Sequence, residues 1–306
     1  MIFRLAWLRL REHDLAWSFR RSPVAVGAAL VTLACVGAAL AAPWIAPQDP
    51  FNPAAFELNQ AFRPPAWLDG GTARYFLGSD DQGRDLLSAI LHGARISLGV
   101  GLAAVCFALV LGVSLGLAAG YRGGWFDALV MRIADVQLSF PAILIALLID
   151  GVARIALPAG AQDAIAVPVL IVAIGLSAWV QYARTVRGST LVEKEKEYVQ
   201  AARVIGRRPL AIMLVHVLPN VMGPVLVIAT IQIATAIITE ATLSFLGVGL
   251  PPTRPSLGTL IRVGNDFLFS GEWWITVFPG VALVTLVLSV NLLGDWLRDA
   301  LNPKLR

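Results

Sequence analysis

Long apolar runs alternate with short polar connections along most of the chain. Six runs stand out, at residues 24–46, 96–119, 128–149, 165–186, 219–240 and 274–294. Each approaches the roughly 20 apolar residues that a helix needs to cross a bilayer. Because the hydrocarbon core holds no water to hydrogen-bond the backbone, each run can satisfy its peptide groups only as a helix. The pattern predicts an all-α fold, a polytopic membrane bundle of six transmembrane helices.

Composition and charge agree with a membrane protein. Of the 306 residues, 57% are hydrophobic and 14% are charged, and the mean hydropathy is +0.73. The net charge of +4 would be compatible with nucleic-acid binding. However, the basic residues gather in alternate connections instead of on one basic face. We therefore expect a lipid bilayer and no nucleic acid as a partner.

The first apolar run allows two interpretations. A basic N-terminus, an apolar stretch and the small residues of "ALAAP" at 39–43 resemble a cleaved signal peptide. The polar region before the run is longer than twenty residues, however, and five more apolar runs follow. An uncleaved signal-anchor helix is the better interpretation.

Lysine and arginine positions predict the orientation. If the N-terminus is cytoplasmic, the cytoplasmic segments hold 17 of the 24 basic residues. The positive-inside rule then places both termini in the cytoplasm. Residues 1–23 become a cytoplasmic segment, residues 24–95 a first transmembrane helix with an extracytoplasmic segment, and residues 96–306 a five-helix core. The cytoplasmic loop 187–218 belongs to that core, and segment 241–273 lies outside.

Small residues recur at every fourth position of the second run, at Gly112, Gly116 and Gly120. Such a stripe lets helices approach closely where hydrophobicity cannot drive their association. Packing within this chain is the simpler interpretation, and contact with a second membrane subunit is the alternative.

The chain carries no motif that predicts catalysis or nucleotide or metal binding. GxxxxGK[ST] and HExxH do not occur, and the three histidines are far apart in the sequence. The GxSxG spacing at 112–116 lies inside an apolar run, where no nucleophile elbow is expected, because the elbow needs a sharp turn from a strand to a helix. We therefore expect no nucleotide site, no catalytic residue and no metal site. Cys35 and Cys106 lack a metal-ligand or CxxC spacing and are expected to be small core residues.

Three carboxylates near the runs, Asp135, Glu240 and Asp295, are candidates for intramembrane chemistry. All three fall toward the ends of runs, whereas a proton-coupled transporter needs such groups at mid-depth. We expect them to be interfacial charges with arginine or backbone partners.

A polar stretch, "EKEYVQAARVIGRRPLAIMLVHVLPN" at 195–220, separates two of the most apolar runs. Residues 193–205 favour a helix. One face of this helix holds Tyr198, Ala201, Ala202 and Ile205, at i, i+3, i+4 and i+7. Gly206 is suited to end the helix, Pro209 to begin another, and "LPN" at 218–220 to interrupt the chain before the next run.

Two interpretations of this helix are open from the residues alone. An amphipathic helix can rest on lipid headgroups, but such anchors usually present bulky Leu, Phe or Trp. The adjacent alanines Ala201 and Ala202 favour a helix that a protein groove receives closely.

The same stretch resembles the signature cytoplasmic loop of ABC-importer permeases, EAA-x3-G-x9-I-x-L-P. The matching residues are Ala201, Ala202, Gly206, Leu218 and Pro219. Gln200 replaces the signature glutamate and His216 the isoleucine. This version is similar to the dipeptide/oligopeptide/nickel branch of the family.

Further segments resemble that branch along nearly the whole chain. They are "LGSDDQGRDLLSAILHGARISLGVG" at 77–101, "GYRGGWFDALVMRIADVQLSFPAIL" at 120–144, "SFLGVGLPPTRPSLGTLI" at 244–261 and "NLLGDWLRDALNPKLR" at 291–306. Ala89 and Leu257 depart from residues that are common there, an arginine and a tryptophan. A first helix and outer segment ahead of a five-helix core resemble the second permease type of such systems.

The resemblance implies a type I importer permease of the bacterial inner membrane, most simply for di- or oligopeptides. Its implied partners are a homologous second permease subunit, two ATPase subunits that bind ATP and Mg, and an extracytoplasmic solute-binding protein. Helix 195–206 would be the coupling helix. Tyr198, Ala201, Ala202 and Ile205 would contact an ATPase, with Gly206 as the turn.

Some roles remain open within the resemblance. Glu197 and Arg203 are candidates for polar contacts at the rim of the coupling helix, or for solvent-exposed charges. Segment 78–95 either shapes an outer gate or simply caps the bundle. The alternatives for the whole chain are a stand-alone secondary transporter or channel, and an ABC permease for nickel or another non-peptide solute.

Overall fold

The computed structural model describes residues 17–52, 58–156 and 162–301. Within these ranges the chain is helical and contains no β-strand, apart from an isolated bridge between Ser79 and Asp85. The predicted all-α fold is confirmed. Most of the predicted N-terminal segment 1–23 and the end of the 291–306 motif lie outside the described residues.

The helices follow one another with few long connections. In chain order they are α1 Pro23–Ile45, α2 Leu86–Arg122, α3 Gly124–Leu138, α4 Ala142–Ala156, α5 Gln162–Glu193, α6 Glu197–Val204, α7 Leu218–Phe245, α8 Leu257–Phe267 and α9 Trp274–Leu301. Shorter helical pieces are Leu58–Gln60, Pro209–Ala211, Ile212–Val217 and Leu268–Ser270. Because α2 packs along α5 and α7, these three helices form the centre of the bundle.

Within the described residues, five helices are long and apolar enough to cross a membrane. The predicted single helix over 128–149 is wrong. Instead α3 and α4 form a pair that bends by 96° at the short break between them. Pro141 lies in this break, and its ring and missing amide hydrogen oppose continuation of a helix. Counted as one broken span, the pair brings the number of spans to six.

Helix α2 begins well before the apolar run that predicted it. The Asp85 side chain accepts a 2.8 Å hydrogen bond from the amide of Ser88 and caps the helix at Leu86. The expected boundary between residues 95 and 96 therefore falls inside a continuous helix. Helix α5 likewise continues beyond the predicted run, to Glu193.

The glycine stripe of α2 faces α5. A Cβ atom on Gly116 would lie 2.4 Å from the carbonyl oxygen of Ala183, and one on Gly112 would lie 2.5 Å from that of Trp179. Since real Cβ atoms do not approach so closely, only glycine allows this separation of the two backbones. Packing within the chain, the simpler of the two interpretations, is confirmed at these positions.

The three candidate carboxylates have different surroundings. Asp135 pairs with Arg184 as expected, and Asp295 is exposed. Glu240 is completely buried, and its carboxylate accepts 2.7 Å hydrogen bonds from the hydroxyls of Ser97 and Ser244. The prediction of arginine or backbone partners is wrong for Glu240, because serine side chains supply its hydrogen bonds.

The two cysteines do not share one environment. Cys35 is half-buried, but Cys106 is exposed on α2. The prediction of a core position is wrong for Cys106, because no other described element of this chain covers that face of the helix.

Residues 58–85 fold back over one end of the bundle. The buried Arg84 pairs with Asp80 at 2.5 Å, and its Nη1 donates a 2.9 Å hydrogen bond to the carbonyl oxygen of Pro252. The Trp274 indole donates a 3.2 Å hydrogen bond to the carbonyl oxygen of Ser79. Segment 58–85 is thereby attached to the chain before α8 and to the start of α9.

Candidate functional site

The polar stretch 195–220 lies at the end of the bundle opposite segment 58–85. Lys194 donates a 2.9 Å hydrogen bond to the carbonyl oxygen of Gly120, at the far end of α2. The turn at 194–196 separates α5 from α6, so the predicted helix over 193–205 begins only at Glu197. The stretch therefore presents a short helix of eight residues at the base of the bundle.

Local sequence explains where α6 ends. Gly206 adopts a φ of 79°, in the left-handed region that glycine enters without strain. The amide of Arg207 donates to the carbonyl of Ala202 at 3.1 Å, and that of Gly206 to the carbonyl of Arg203 at 2.9 Å. These two bonds form a Schellman motif, which satisfies the last carbonyls of the helix. The predicted turn at Gly206 is confirmed.

The chain re-enters the bundle without the predicted break at 218–220. Pro209 begins a new helix as expected, and the helical backbone then continues to Phe245. Residues Ile212–Val217 form a π-helical turn directly before α7. The prediction of a break is wrong, because the helical backbone accommodates Pro219. The wider π-helical turn lies directly before this proline, and the amide hydrogen that proline lacks falls in the first turn of α7, where a proline is tolerated.

One face of α6 packs against its own bundle. Val199 is completely buried and Ala202 is 5% exposed. Both belong to an apolar cluster that includes Ile212 and Val217 from the returning chain and Tyr182 from α5. Ala202 therefore faces inward, apart from the other residues of the face that the sequence predicted.

The opposite face of α6 is open. Ala201 is exposed, and Val204 and Ile205 are 87% and 80% exposed. We call these three residues the exposed face. Sequence analysis missed Val204, although it lies three residues after Ala201 and seven after the exposed Glu197. An apolar surface that is not covered by its own chain is typical of an interaction site.

Tyr198 lies at the edge of this face, and its hydroxyl joins three elements. The hydroxyl donates to the carboxylate of Glu193, the last residue of α5, and accepts a 3.0 Å hydrogen bond from the amide of Asn220 in α7. The second Asn220 N–H donates to the carbonyl oxygen of His216 at 2.6 Å. Lys196 contacts the other Glu193 oxygen at 2.7 Å. Burial and the neighbouring Glu193 carboxylate raise the pKa of Tyr198 to about 12.

Two further side chains hold α6 in place. The guanidinium carbon of Arg203 lies 5.3 Å from the centre of the Tyr121 ring, within the range of a cation–π contact. The Gln200 side chain donates a 3.2 Å hydrogen bond to the carboxylate of Glu195. Gln200, which departs from the signature loop, thus contacts the turn before α6.

The structure brings most of the predicted site residues together on α6 but divides them between two faces. Glu193 and Asn220 were not predicted as part of the site. Asn220 was visible as the end of "LPN", whereas nothing in the run "EKEKE" distinguishes Glu193 from its neighbours. In the described part of the chain, no group of three His, Cys, Asp or Glu residues could hold a metal ion.

Comparison with known sequences gives consistent matches. Residues 108–306 match the family described as binding-protein-dependent transport system inner membrane component. The di/tripeptide transport system permease protein DppC of Pseudomonas aeruginosa is 40% identical over 94% of this chain and 91% of its own. The glutathione transport system permease protein GsiD of Escherichia coli is 38% identical over 98% and 92%.

A solved structure shares the fold. The MetNI methionine ABC transporter, in an inward facing conformation, contains a chain that matches with a TM-score of 0.53. The match covers 70% of this chain and 96% of that chain, at 22% sequence identity.

Proposed function

Because this chain belongs to the family of binding-protein-dependent transport system inner membrane components, we propose that it imports di- or oligopeptides as a permease subunit of an ABC importer. The subunit supplies half of the translocation pathway. The near full-length similarity to permeases whose names specify di/tripeptides and glutathione supports the peptide class. The observation that carries the mechanism is the exposed face of α6, which offers apolar side chains to a partner.

Energy would reach the chain through protein partners. Two ATPase subunits, identical or different, bind ATP and Mg, and this chain has no nucleotide site. A homologous second permease completes the pathway, and an extracytoplasmic binding protein delivers the peptide.

The orientation in the membrane follows from the charges. Both termini and loop 187–218 are cytoplasmic, residues 1–23 precede the first span, and the core begins in α2. The excess of basic residues in these segments supports this orientation.

In this proposal α6 is the coupling helix. Ala201, Val204 and Ile205 enter a groove of an ATPase subunit, with Glu197 at its rim. Small and apolar side chains suit close packing of a helix in a protein groove. The orientation of the exposed face is fixed by residues of this stretch that contact the bundle or form the turn after α6, namely Tyr198, Ala202, Arg203 and Gly206. Movement of the ATPase subunits would then move α6 and switch the bundle between outward and inward access.

The experiment is a charge placed on the exposed face. Ala201→Asp should abolish the ATP hydrolysis that peptide-loaded binding protein stimulates in the reconstituted importer, because a carboxylate cannot enter an apolar groove without a partner. Ala73→Asp, the same change at an exposed position within segment 58–85, should leave stimulation intact. Full stimulation with Ala201→Asp would contradict the coupling role.

The substrate and the dependence on partners need separate measurements. Binding of peptides, glutathione or nickel to the cognate solute-binding protein distinguishes the peptide class from a non-peptide solute. Transport by the purified chain alone, without ATP, would support a stand-alone transporter or channel instead. We expect transport only with all partners present.

A further inference from the structure

We propose that the hydrogen bonds of the Tyr198 hydroxyl make α5 and α7 follow the movement of α6. We call this hydroxyl, with its bonds to Glu193 and Asn220, the latch. This inference rests on the proposed coupling role of α6 and deepens it. Tyr198 is then a positioning residue, through which a movement of α6 also moves α5 and α7. The residues of the exposed face make the contact with the ATPase.

The latch is defined by its contacts. The side chain of Tyr198 leaves α6 and places one oxygen between the carboxylate of Glu193 at the end of α5 and the amide of Asn220 in the first turn of α7. Asn220 also donates to the carbonyl of His216 in the π-helical turn. A single hydroxyl therefore connects the coupling helix α6 to α5, which precedes it in the chain, and to α7, which follows it.

Burial and charge strengthen the hydrogen bond between Tyr198 and Glu193. Glu193 is 6% exposed, and a buried carboxylate depends on its hydrogen-bond donors. Its described donors are the Tyr198 hydroxyl and the ammonium group of Lys196. A tyrosine hydroxyl is protonated at physiological pH, and the pKa of about 12 makes loss of the Tyr198 proton still harder, so the hydroxyl remains a donor to Glu193.

The Gln200 side chain of α6 bonds to Glu195 in the turn before the helix, and the remaining contacts of α6 with the helices of the bundle are less directional. Val199 and Ala202 contact the bundle through apolar surface, which resists separation but fixes orientation less than a hydrogen bond does. Arg203 contacts Tyr121 through a cation–π interaction on an exposed side. Loss of the Tyr198 hydroxyl should therefore leave α6 in place while it weakens the transfer of motion to α5 and α7.

The test measures transport per ATP in the reconstituted importer with peptide-loaded binding protein. Tyr198→Phe should lower peptide transported per ATP hydrolysed about tenfold, which corresponds to about 1.4 kcal/mol and to the lower end of the contribution of a hydrogen bond to a charged group. Tyr121→Phe removes a hydroxyl that has no hydrogen bond among the described residues and keeps the ring that contacts Arg203, so it should keep the wild-type ratio. A wild-type ratio in Tyr198→Phe would overturn the proposal.

A double-variant comparison separates the latch from a general loss of packing. Asn220→Ala should also lower the ratio, and the double variant Tyr198→Phe/Asn220→Ala should be no worse than Tyr198→Phe alone, because the described contact of Asn220 with α6 runs through the Tyr198 oxygen. Additive losses would show that the two side chains act separately and would contradict the latch.

One further arm distinguishes failure of the latch from failure of the proposed function. Ile205→Cys, with Cys35 and Cys106 replaced, should cross-link to a cysteine in the groove of an ATPase subunit in both the wild-type and Tyr198→Phe backgrounds. If cross-linking fails in both, the coupling role of α6 is wrong. If it succeeds in both and the transport ratio is unchanged, only the latch is wrong.

Discussion

Ser97 and Glu240 join two central helices through a buried hydrogen bond of 2.7 Å between the Ser97 hydroxyl and the Glu240 carboxylate. Ser244 donates to the second carboxylate oxygen, also at 2.7 Å. The amide of Leu257, the first residue of α8, donates to the Ser97 oxygen at 3.3 Å. This small network therefore connects α2, α7 and α8 near the end of the bundle that segment 58–85 covers.

We predict that Glu240→Ala destabilises the subunit. The change leaves buried serine hydroxyls without their partner, and an unsatisfied buried polar group costs about 1–3 kcal/mol. Glu240→Gln preserves size and an acceptor oxygen and should be milder. The apparent unfolding temperature of the purified importer in detergent checks this order.

The control for this prediction is Asp69→Ala, which removes a carboxylate at an exposed position. It should leave the apparent unfolding temperature nearly unchanged. Equal losses from Glu240→Ala and Glu240→Gln would show that the hydrogen bonds of Glu240 do not stabilise the bundle.

The close contact of α2 and α5 gives a second prediction. Gly116→Ala should destabilise the bundle by about 1–3 kcal/mol, because the added methyl group meets the backbone of Ala183. Gly99 lies on the same helix, and a methyl group added there would have no neighbouring atom within 4 Å. Gly99→Ala should therefore be neutral or stabilising, since alanine favours a helix over glycine by about 1 kcal/mol. Thermal unfolding of both variants tests the contrast, and similar unfolding temperatures would contradict it.

The apolar runs predicted the bundle because a membrane span depends on composition more than on tertiary contacts. The bend at Pro141 was not predicted, since residues on both sides of it remain apolar. The direction of Ala202 could not be predicted, because it depends on Ile212 and Val217, which follow α6 and fold back on it. For the same reason, sequence analysis could not relate Glu193 to Asn220, whose meeting depends on the turns between them.

A third prediction concerns the buried pair of Arg84 and Asp80. Arg84→Ala leaves the Asp80 carboxylate buried without its cation, a change that costs about 3–5 kcal/mol in other proteins. Because Arg84 also contacts Pro252, segment 58–85 should detach from the bundle and become sensitive to protease. Limited proteolysis followed by mass spectrometry measures cleavage within the segment. Arg74→Ala, at an exposed arginine, should not increase cleavage, and unchanged cleavage in Arg84→Ala would refute the prediction.

The last prediction concerns pH and Asp81, which lies between Asp80 and Arg84 in segment 58–85. Burial, together with the neighbouring Asp80 charge, raises the pKa of Asp81, and its Oδ1 has no hydrogen-bond partner among the described residues. The folded state therefore holds this proton more strongly than the unfolded state does. The contribution of Asp81 to stability is lost as pH rises through the raised pKa, and it returns as pH falls.

Asp81→Asn removes the charge and should raise the apparent unfolding temperature at neutral pH. The advantage over the wild type should shrink as pH is lowered, because the wild-type carboxyl then becomes neutral as well. Thermal unfolding of both proteins across a pH series measures this difference, in which the effects of all other titrating groups cancel to first order. Asp69→Asn, the same change at an exposed position, should show no such trend. A difference between Asp81→Asn and the wild type that stays constant with pH would mean that the Asp81 charge does not oppose folding.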